Sequence, residues 1–223
     1  LLAIDLGNTK AALGVWSGNQ WKEIRRWPSQ SLDSNLELLA WLRLLSMDNS
    51  EVQIACASVN PSAEPGLISA VSDLLNAEIR FLRTASDFKL KTRYSSELGA
   101  DRMANMIGAL DQFEPPMIVI DVGTATTIDA VDNEGVHIGG VILAGPQFSI
   151  DALLAQSPLM KKAEVRKVGQ IFGLNTVDAL SIGHFIGHMH ALEGILATMK
   201  ANMIGSATVV TTGGLGRQFC EAS

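Results

Sequence analysis

Cysteine is scarce in this chain of 223 residues, which has only Cys56 and Cys220. Two cysteines give neither a disulfide framework nor the spacing of a metal site, so the sequence predicts a reducing, cytoplasmic setting. Long apolar runs are also missing. The longest are far below membrane-spanning length, and Asp5 interrupts the N-terminal one, so neither a membrane span nor a signal peptide is evident.

Positive charge is in short supply as well. The chain has 17 Lys and Arg residues against 23 Asp and Glu residues, a formal net charge of −6. This balance argues against nucleic acid as a partner. An anionic substrate would be held by backbone N–H groups, helix N-termini and metal ions. Apolar residues, by contrast, make up 47% of the chain, enough for one large domain or two modest ones.

A hairpin-like stretch occurs twice in the sequence. The run 118–131 is predicted to be a buried strand ending at Asp121, a glycine-bearing tip and a second strand. The run 4–9 has the same order of residue types, with Asp5 in the place of Asp121. Two such tips predict an internal duplication, with both hairpins facing a shared cleft.

The apolar patterns predict three strands followed by helices and further strands in each half. The first half has predicted strands at 1–6, 9–15, 21–27, 52–58 and 79–82, and helices at 33–45 and 60–75. The second has helices at 100–113, 149–155 and 176–200, and strands at 117–120, 125–131, 136–143 and 208–212. The polar stretch 84–98 is predicted to be irregular. The predicted architecture is two similar α/β domains with a cleft between them.

Both hairpin tips are candidate phosphate sites. Glycine with Asn or Thr presents backbone N–H groups and hydroxyls to an anion, and a carboxylate at the strand end can hold a cation against the same phosphate. The alternative is that Asp and Gly only build a tight turn, but two matched copies favour the phosphate site. The glycine-rich run 210–216 could lie against a nucleotide, although its spacing does not fit a dinucleotide-binding fold.

The run 99–102, Gly-Ala-Asp-Arg, opens a predicted helix. Asp101 in the first turn stabilises a helix whatever its function. The functional interpretation is a carboxylate general base beside the Arg102 guanidinium, which would bind an anionic substrate group.

His184 and His188 have the spacing of zinc ligands, but without a third ligand or a metalloprotease glutamate no metal site is expected there.

The predicted helix 176–200 carries a stripe of small residues on one face: Ala179, Gly183, Gly187, Ala191 and Gly194. Each interior glycine costs a helix about 1 kcal/mol relative to alanine. A close neighbour must offset this cost, most simply another helix or a ligand.

Together these residues resemble the type III pantothenate kinases, in the superfamily of sugar kinases, actin and heat-shock chaperones. The resemblance covers nearly the whole chain. It rests on Asp5-x-Gly-Asn-Thr9, Gly99-Ala-Asp-Arg102, Asp121-x-Gly-Thr-Ala125 with Thr127 and Asp129, Gly139-Gly-x-Ile142, Asn175-Thr-x-x-Ala179 and Thr212-Gly-Gly214. It implies an α/β fold of duplicated actin-like (ribonuclease H-like) domains, each a mixed sheet flanked by helices. The expected domains are 1–98 and 99–223, with helix 100–113 as the connection.

The resemblance also implies an activity, the ATP-dependent phosphorylation of pantothenate to 4'-phosphopantothenate, the first step of coenzyme A biosynthesis. It implies that the following residues bind ATP: Asp5, Leu6, Gly7, Asn8, Thr9, Lys10, Ala11, Ala12 and Thr124. Mg²⁺ would lie near Asp5. It implies pantothenate-binding residues: Gly99, Ala100, Asp101, Arg102 and Thr176. Asp101 would be the proton acceptor, Asp121 would bind a monovalent cation (K⁺ or NH₄⁺), and the protein would be a homodimer.

Three departures from the family pattern stand out. The glycine strand is followed by Ala144-Gly145-Pro146 instead of Pro-Gly, and Tyr94 lies closer to Gly99 than the family's substrate-facing tyrosine. The sequence stops at Ser223, soon after Gly213-Gly214, where family members normally continue through further elements.

Three alternative functions remain open. One is another kinase of the superfamily that acts on a sugar or acetate. Another is an actin-like or chaperone-like ATPase, for which the chain is short and the run 99–102 has no obvious purpose. The third is a degenerate regulatory relative, which the intact Asp5, Asp101 and Asp121 disfavour.

Overall fold

The computed structural model describes residues 1–46, 52–94, 97–157, 159–167 and 169–223. The chain forms two compact units. Unit 1 comprises Leu1–Leu90 and Ser96–Ala104, and unit 2 comprises Lys91–Ser95 and Asn105–Ser223. Each unit contains one mixed β-sheet with flanking helices.

Unit 1 contains, in chain order, β1 (Leu2–Leu6), β2 (Lys10–Trp16), β3 (Trp21–Pro28), α1 (Leu36–Ser46), β4 (Ile54–Ser58), α2 (Glu64–Leu75) and β5 (Ile79–Leu82). The strand order in its sheet is β3-β2-β1-β4-β5. The first three strands are antiparallel neighbours, whereas β4 and β5 run parallel to β1.

The core of unit 1 follows from the alternation along β1. Leu2, Ile4 and Leu6 are buried in one hydrophobic cluster with residues of α1 and α2, such as Leu38 and Leu67. Because side chains alternate between the faces of a strand, Asp5 points to the opposite face, where it is exposed. Burial of its neighbours therefore fixes the direction of this carboxylate.

Unit 2 contains β6 (Lys91–Thr92), β7 (Met117–Val122), β8 (Ala125–Val131), β9 (Val136–Ala144), α4 (Pro146–Gln156), α5 (Thr176–Ala201), β10 (Thr208–Thr212) and α6 (Gly216–Cys220). Helix α3 (Ala100–Leu110) begins in unit 1 and ends in unit 2. The strand order is β10-β7-β8-β9-β6. Antiparallel β7, β8 and β9 with parallel β10 beside β7 repeat the arrangement of β1, β2, β3 and β4, as the sequence predicted.

Strand β7 is buried on both faces. Ile118, Ile120 and Val122 join a cluster that includes Phe185 of α5, while Met117 on the other face is also fully buried. This double burial explains the continuous apolar run, which an alternating, half-exposed strand would not have.

The structure corrects the predicted irregular stretch 84–98, because Lys91–Thr92 pairs in parallel with β9. A two-residue strand is too short to produce an alternating pattern, and distant contacts hold it. Thr92 Oγ1 lies 2.9 Å from His137 Nδ1, and Arg93 forms an ion pair of 3.0 Å with Asp132. Residues 95 and 96 of that prediction lie outside the described residues.

Several helix ends also differ from the prediction. Helix α1 begins at Leu36, capped by the Asn35 side chain, which accepts the Leu38 N–H at 3.0 Å. Helix α2 begins at Glu64 instead of residue 60, after a turn in which the Ala63 N–H donates to the Asn60 carbonyl. Helix α3 ends at residue 110 instead of 113, and α4 begins at residue 146 instead of 149. In the described part of the chain, every helix is too short or too polar to cross a membrane.

Candidate active site

The first hairpin tip joins β1 to β2. Asp5 is the penultimate residue of β1, paired with Ala12 on β2 and Ala57 on β4. The Gly7 N–H donates to the Lys10 carbonyl at 3.1 Å. A Cβ at Gly7 would lie 3.0 Å from that carbonyl oxygen, so glycine permits the close turn.

The Gly-Ala-Asp-Arg run forms the start of α3. The Gly99 carbonyl accepts the first helical bond, from the Met103 N–H at 3.1 Å. Asp101 Oδ1 accepts the Arg102 N–H at 2.7 Å, and a Cβ at Gly99 would lie only 2.5 Å from that oxygen. Glycine therefore makes room for the carboxylate. Arg102 is buried, with 5% of its surface exposed.

Val59 connects these two predicted sites within unit 1. Its N–H donates to the Leu6 carbonyl at 3.1 Å, next to the hairpin tip. Its Cγ1 lies 3.6 Å from the position that a Cβ on Gly99 would occupy. The first tip and the start of α3 therefore both lie next to one residue, Val59.

The second tip joins β7 to β8 and carries Asp121. Strand β7 continues through Val122, so Asp121 is the penultimate strand residue and does not end the strand as predicted. It has the same position in β7 as Asp5 has in β1. Asn105 Nδ2 donates to Asp121 Oδ2 at 2.8 Å, which orients the carboxylate.

Two glycines pack against the second tip. The Gly145 N–H donates to the Thr124 carbonyl at 2.9 Å, and a Cβ on Gly145 would collide with the backbone of Gly123 and Thr124. Gly213 has a φ of +90°, and a Cβ there would collide with the Asp121 carboxylate and the Val122 backbone. The glycine-rich run after β10 therefore lies against the tip of the second hairpin.

The structure explains the sequence Ala-Gly-Pro at the end of β9, where the family usually has Pro-Gly. Ala144 ends β9, Gly145 is the N-cap of α4, and Pro146 occupies the first turn of that helix, where a missing N–H costs little. The turn therefore directs Gly145 onto the second tip.

Thr176 lies elsewhere in unit 2, as the exposed first residue of α5. Asn175 caps this helix by accepting the Asp178 N–H at 3.0 Å. The side chain of Asp178 also pairs with Arg166 at 2.6 Å. The Asn-Thr-x-x-Ala motif is therefore a well-capped helix start.

His184 and His188 make separate hydrogen bonds. His184 Nδ1 donates to the Leu180 carbonyl at 2.9 Å, and His188 Nε2 lies 2.9 Å from Thr126 Oγ1. Burial, with a smaller contribution from His184, holds the pKa of His188 below its ordinary value. Among the described residues, no cluster of three or more His, Cys, Asp or Glu side chains is placed to hold a metal ion.

A buried chain of hydrogen bonds connects β8, β9 and β6. His137 is fully buried, and its Nε2 lies 3.0 Å from Asp129 Oδ1 while its Nδ1 contacts Thr92 Oγ1. The Tyr94 N–H donates to the same Thr92 oxygen at 2.9 Å, and the Tyr94 ring stacks on His137 at 5.7 Å. This network anchors β6 and Tyr94 to β8 and β9 within unit 2.

The scarce cysteines have no evident chemistry. Cys56 lies on β4 inside the core, and burial raises the pKa of its thiol to about 12, with smaller contributions from nearby carboxylates. A thiol of that pKa stays protonated at neutral pH and is a poor nucleophile. Cys220 is exposed, and its thiol is not part of a disulfide.

Four residues around the tips were missed by sequence reasoning: Ser29, Asn60, Asn105 and Gly145. Ser29 and Asn60 bond to the first tip from 22 and 53 residues away, distances that no local pattern reports. Asn105 gave no signal because a lone polar residue in an amphipathic helix normally faces solvent. The only signal at Gly145 was its departure from the family pattern.

Two α/β units of repeated topology, each with an aspartate beside a glycine-bearing tip, define the class of actin-like kinases and ATPases. The family model of type III pantothenate kinase matches residues 1–198. A type III pantothenate kinase from Moorella thermoacetica is 34% identical over 222 residues, covering 96% of this chain and 87% of that protein. One from Rhodospirillum centenum is 32% identical over 235 residues, covering 100% and 90%. The chain belongs to the type III pantothenate kinase family.

The fold comparison agrees with this family. The structure of a proposed 2-dehydro-3-deoxygalactonokinase from Sinorhizobium meliloti has a TM-score of 0.63 with 12% identity, covering 99% of this chain and 88% of that one. At that identity the likeness concerns the fold alone. The predicted fold of two mixed sheets flanked by helices in duplicated actin-like domains is confirmed.

Proposed function

We propose that this chain, as a type III pantothenate kinase, transfers a phosphoryl group from ATP to the primary hydroxyl of pantothenate. The product is 4'-phosphopantothenate, the first intermediate toward coenzyme A. In this assignment the first tip and Thr124 bind ATP, the start of α3 and Thr176 bind pantothenate, and Asp101 accepts the hydroxyl proton.

The contact through Val59 is the observation that carries this proposal. Phosphoryl transfer requires the acceptor hydroxyl to lie close to the phosphate. The protein contributes mainly by positioning the reactants and stabilising charge. Val59 touches the backbone of the first tip and lies beside Gly99, so an acceptor bound at the start of α3 is near that tip. An ATPase that releases phosphate to water has no need for a second substrate site there.

Asp101 fits the role of proton acceptor in its local geometry. One of its oxygens is held by the Arg102 N–H at 2.7 Å, and the missing Cβ of Gly99 keeps the carboxylate from being displaced. A carboxylate fixed in this way can orient the hydroxyl and take its proton as the new bond forms. The next residue, Arg102, is buried in the first turn of α3.

The cations are assigned to the two penultimate aspartates. Mg²⁺ is usually held by one or two carboxylates together with substrate phosphates, so a single carboxylate such as Asp5 fits the Mg²⁺ that accompanies ATP. Mg²⁺ supplies neutralisation of the phosphate charge. Asp121, oriented by Asn105, is assigned to a monovalent cation, K⁺ or NH₄⁺.

We further infer a homodimer from the exposed face of α5. Gly183, Gly187 and Gly194 are exposed in unit 2, and a Cβ at any of them would meet nothing within 4 Å in the described chain. The neighbouring loop carries exposed apolar side chains, including Phe172 at 78% and Leu174 at 85%. A second subunit packed there would offset both the glycine cost and the exposed apolar area.

A coupled assay of ADP release tests the catalytic proposal. ADP should form rapidly with Mg²⁺, K⁺, ATP and pantothenate present, and only slowly when pantothenate is left out. Sugars and acetate serve as control acceptors and should give the slow rate. ADP release that is unchanged by pantothenate would instead identify an ATPase.

A further inference from the structure

The carbonyl oxygens at the first hairpin tip all turn toward the body of unit 1. The Gly7 oxygen accepts two side-chain bonds, from Ser29 Oγ at 2.6 Å and from Asn60 Nδ2 at 3.3 Å. The Asn8 oxygen lies 3.4 Å from the same Asn60 nitrogen. Two side chains from different loops thus converge on one peptide of the tip.

The flanking carbonyls follow the same pattern. The Leu6 oxygen accepts the Val59 N–H at 3.1 Å, and the Thr9 oxygen accepts the Ser29 N–H at 3.0 Å. Four consecutive carbonyls, residues 6–9, are therefore bound by groups from the loops that follow β3 and β4.

This arrangement sets the direction of the opposite peptide groups. The Gly7–Asn8 peptide is trans, because the only cis bond in the described chain is Pro115–Pro116. In a trans peptide the C=O and N–H point in opposite directions. Since Ser29 and Asn60 hold the Gly7 oxygen inward, the Asn8 N–H points away from them. A flipped peptide would instead present its oxygen to the anion and repel it.

We propose that Ser29 and Asn60 are positioning residues that lock the first tip with its N–H side outward, ready for the phosphates of ATP. Ser29 is the more constrained of the two, since only 1% of its surface is exposed. Asn60 is itself oriented by Ser62, whose Oγ donates to Asn60 Oδ1 at 2.7 Å. That bond fixes which end of the Asn60 amide faces the tip. This proposal rests on the proposed function of the tip as a phosphate site.

The test measures Mg·ATP binding by calorimetry, together with KM for ATP and for pantothenate. Ser29→Ala and Asn60→Ala should each weaken Mg·ATP binding roughly threefold to tenfold, the usual value of one hydrogen bond. The KM for pantothenate should stay unchanged. Ser29→Thr, which keeps the hydroxyl, should retain most of the binding.

Ser181→Ala is the matched control. Ser181 is also fully buried and donates to backbone carbonyls, those of Glu164 at 2.8 Å and Val177 at 2.9 Å, but it lies in unit 2. Its loss should lower thermal stability without changing Mg·ATP binding. If Ser29→Ala and Asn60→Ala behave like this control, the two residues are merely structural and the proposal is wrong.

The exposed Ser62 keeps the test decisive if the other variants do not fold. Ser62→Ala removes only the bond that orients Asn60, and it should weaken Mg·ATP binding about twofold to threefold. Unchanged binding in a folded Ser62→Ala protein, with Ser29→Ala unfolded, would overturn the proposal. A wild-type protein that binds Mg·ATP but does not phosphorylate pantothenate would contradict the proposed function alone. A wild-type protein without Mg·ATP binding would contradict both.

Discussion

Asn105 holds Asp121 in a fixed orientation, with 2.8 Å between Asn105 Nδ2 and Asp121 Oδ2. The bond fixes the plane of the carboxylate. Gly213 packs beside the other oxygen, Oδ1, which a residue with a Cβ would displace. In the proposed function this tip faces the phosphates of ATP, and a carboxylate held there in one direction would repel them unless a cation lay between them.

The first prediction is a requirement for a large monovalent cation. One carboxylate with carbonyl, hydroxyl and phosphate oxygens can hold K⁺ or NH₄⁺, without the strict octahedron that Mg²⁺ demands. Activity should therefore depend on K⁺ or NH₄⁺, with Na⁺ a poor substitute. Asp121→Ala should abolish this dependence together with most of the activity. The measurement is initial rate at saturating Mg·ATP and matched ionic strength.

Asn105→Ala is the companion variant for this prediction. It leaves the carboxylate in place but removes its orienting bond, so we expect a higher K⁺ concentration for half-maximal rate and a similar maximal rate. Equal rates of the wild-type protein in K⁺ and Na⁺ would show that Asp121 only builds a turn.

The second prediction concerns Asp5. Its direction is set by the burial of Ile4 and Leu6 on either side, so a substitution at this exposed position should leave the fold intact. In the proposed role, Asp5→Asn removes the charge that would balance Mg²⁺, so it should lower kcat strongly. Circular dichroism and thermal melting provide the control for folding. If the Asp5→Asn protein folded and had normal activity, the first tip would be only a structural turn and its assignment as a phosphate site would be wrong.

The third prediction concerns the proton acceptor. Asp101→Asn keeps the size of the side chain and removes the charge, so kcat should fall by roughly 10²–10⁴-fold, the range typical of a positioned general base. Mg·ATP affinity should change little. If the variant lost ATP binding but kept pantothenate binding, Asp101 would belong to the nucleotide site and the assignment would be wrong.

Local patterns were sufficient to predict most elements of the fold. The alternation around Ile4 and the apolar run around Ile120 each identified a strand, and the repeated Asp-x-Gly order identified the duplication. Such signals come from residues that are adjacent in sequence, and they are strong when a strand is long and buried.

Distant contacts explain what could not be predicted. Strand β6 is held by the contact of Thr92 with the buried His137, 45 residues away, and Asn105 bonds to Asp121 across 16 residues of sequence. Helix α2 begins later than predicted. Asn60 lies in a turn before the helix, where its side chain bonds to the first tip. Tertiary hydrogen bonds of this kind leave no periodic signal.

The fourth prediction is a pH dependence of stability. The bidentate hydrogen bonds from Arg83, at 3.0 and 2.7 Å, are the main cause that holds the pKa of Glu64 below its ordinary value. The ion pair therefore stabilises the fold fully when the pH is above the pKa of Glu64 in the unfolded chain. This stabilisation is lost as the pH falls through the lower pKa of Glu64 in the folded protein. Because Arg83 is half exposed, the pair contributes about 1 kcal/mol.

Urea unfolding of Glu64→Gln tests this effect. The variant should be less stable than the wild type at neutral pH, and the difference should shrink as the pH falls below the ordinary pKa of glutamate and the wild-type carboxylate becomes protonated. Glu221→Gln is the control, since Glu221 forms an exposed ion pair with Arg217 at the end of α6 and should matter little at either pH. A constant difference between Glu64→Gln and wild type across the pH range would contradict the prediction.

The last prediction concerns assembly. Gly187 on α5 is exposed, and a Cβ there would meet no atom of the described chain within 4 Å, so Gly187→Leu should leave the unfolding temperature nearly unchanged. At a close helix contact between subunits, overpacking costs about 1–3 kcal/mol, which should weaken the dimer roughly tenfold or more. Light scattering at micromolar concentration measures this, and Gly108→Leu, an equally open position on α3, is the control. A strictly monomeric wild-type protein would exclude the dimer. If Gly187→Leu left the dimer unaffected, the subunit interface would lie elsewhere. A leucine side chain cannot fit between two helices that are packed as closely as glycine allows.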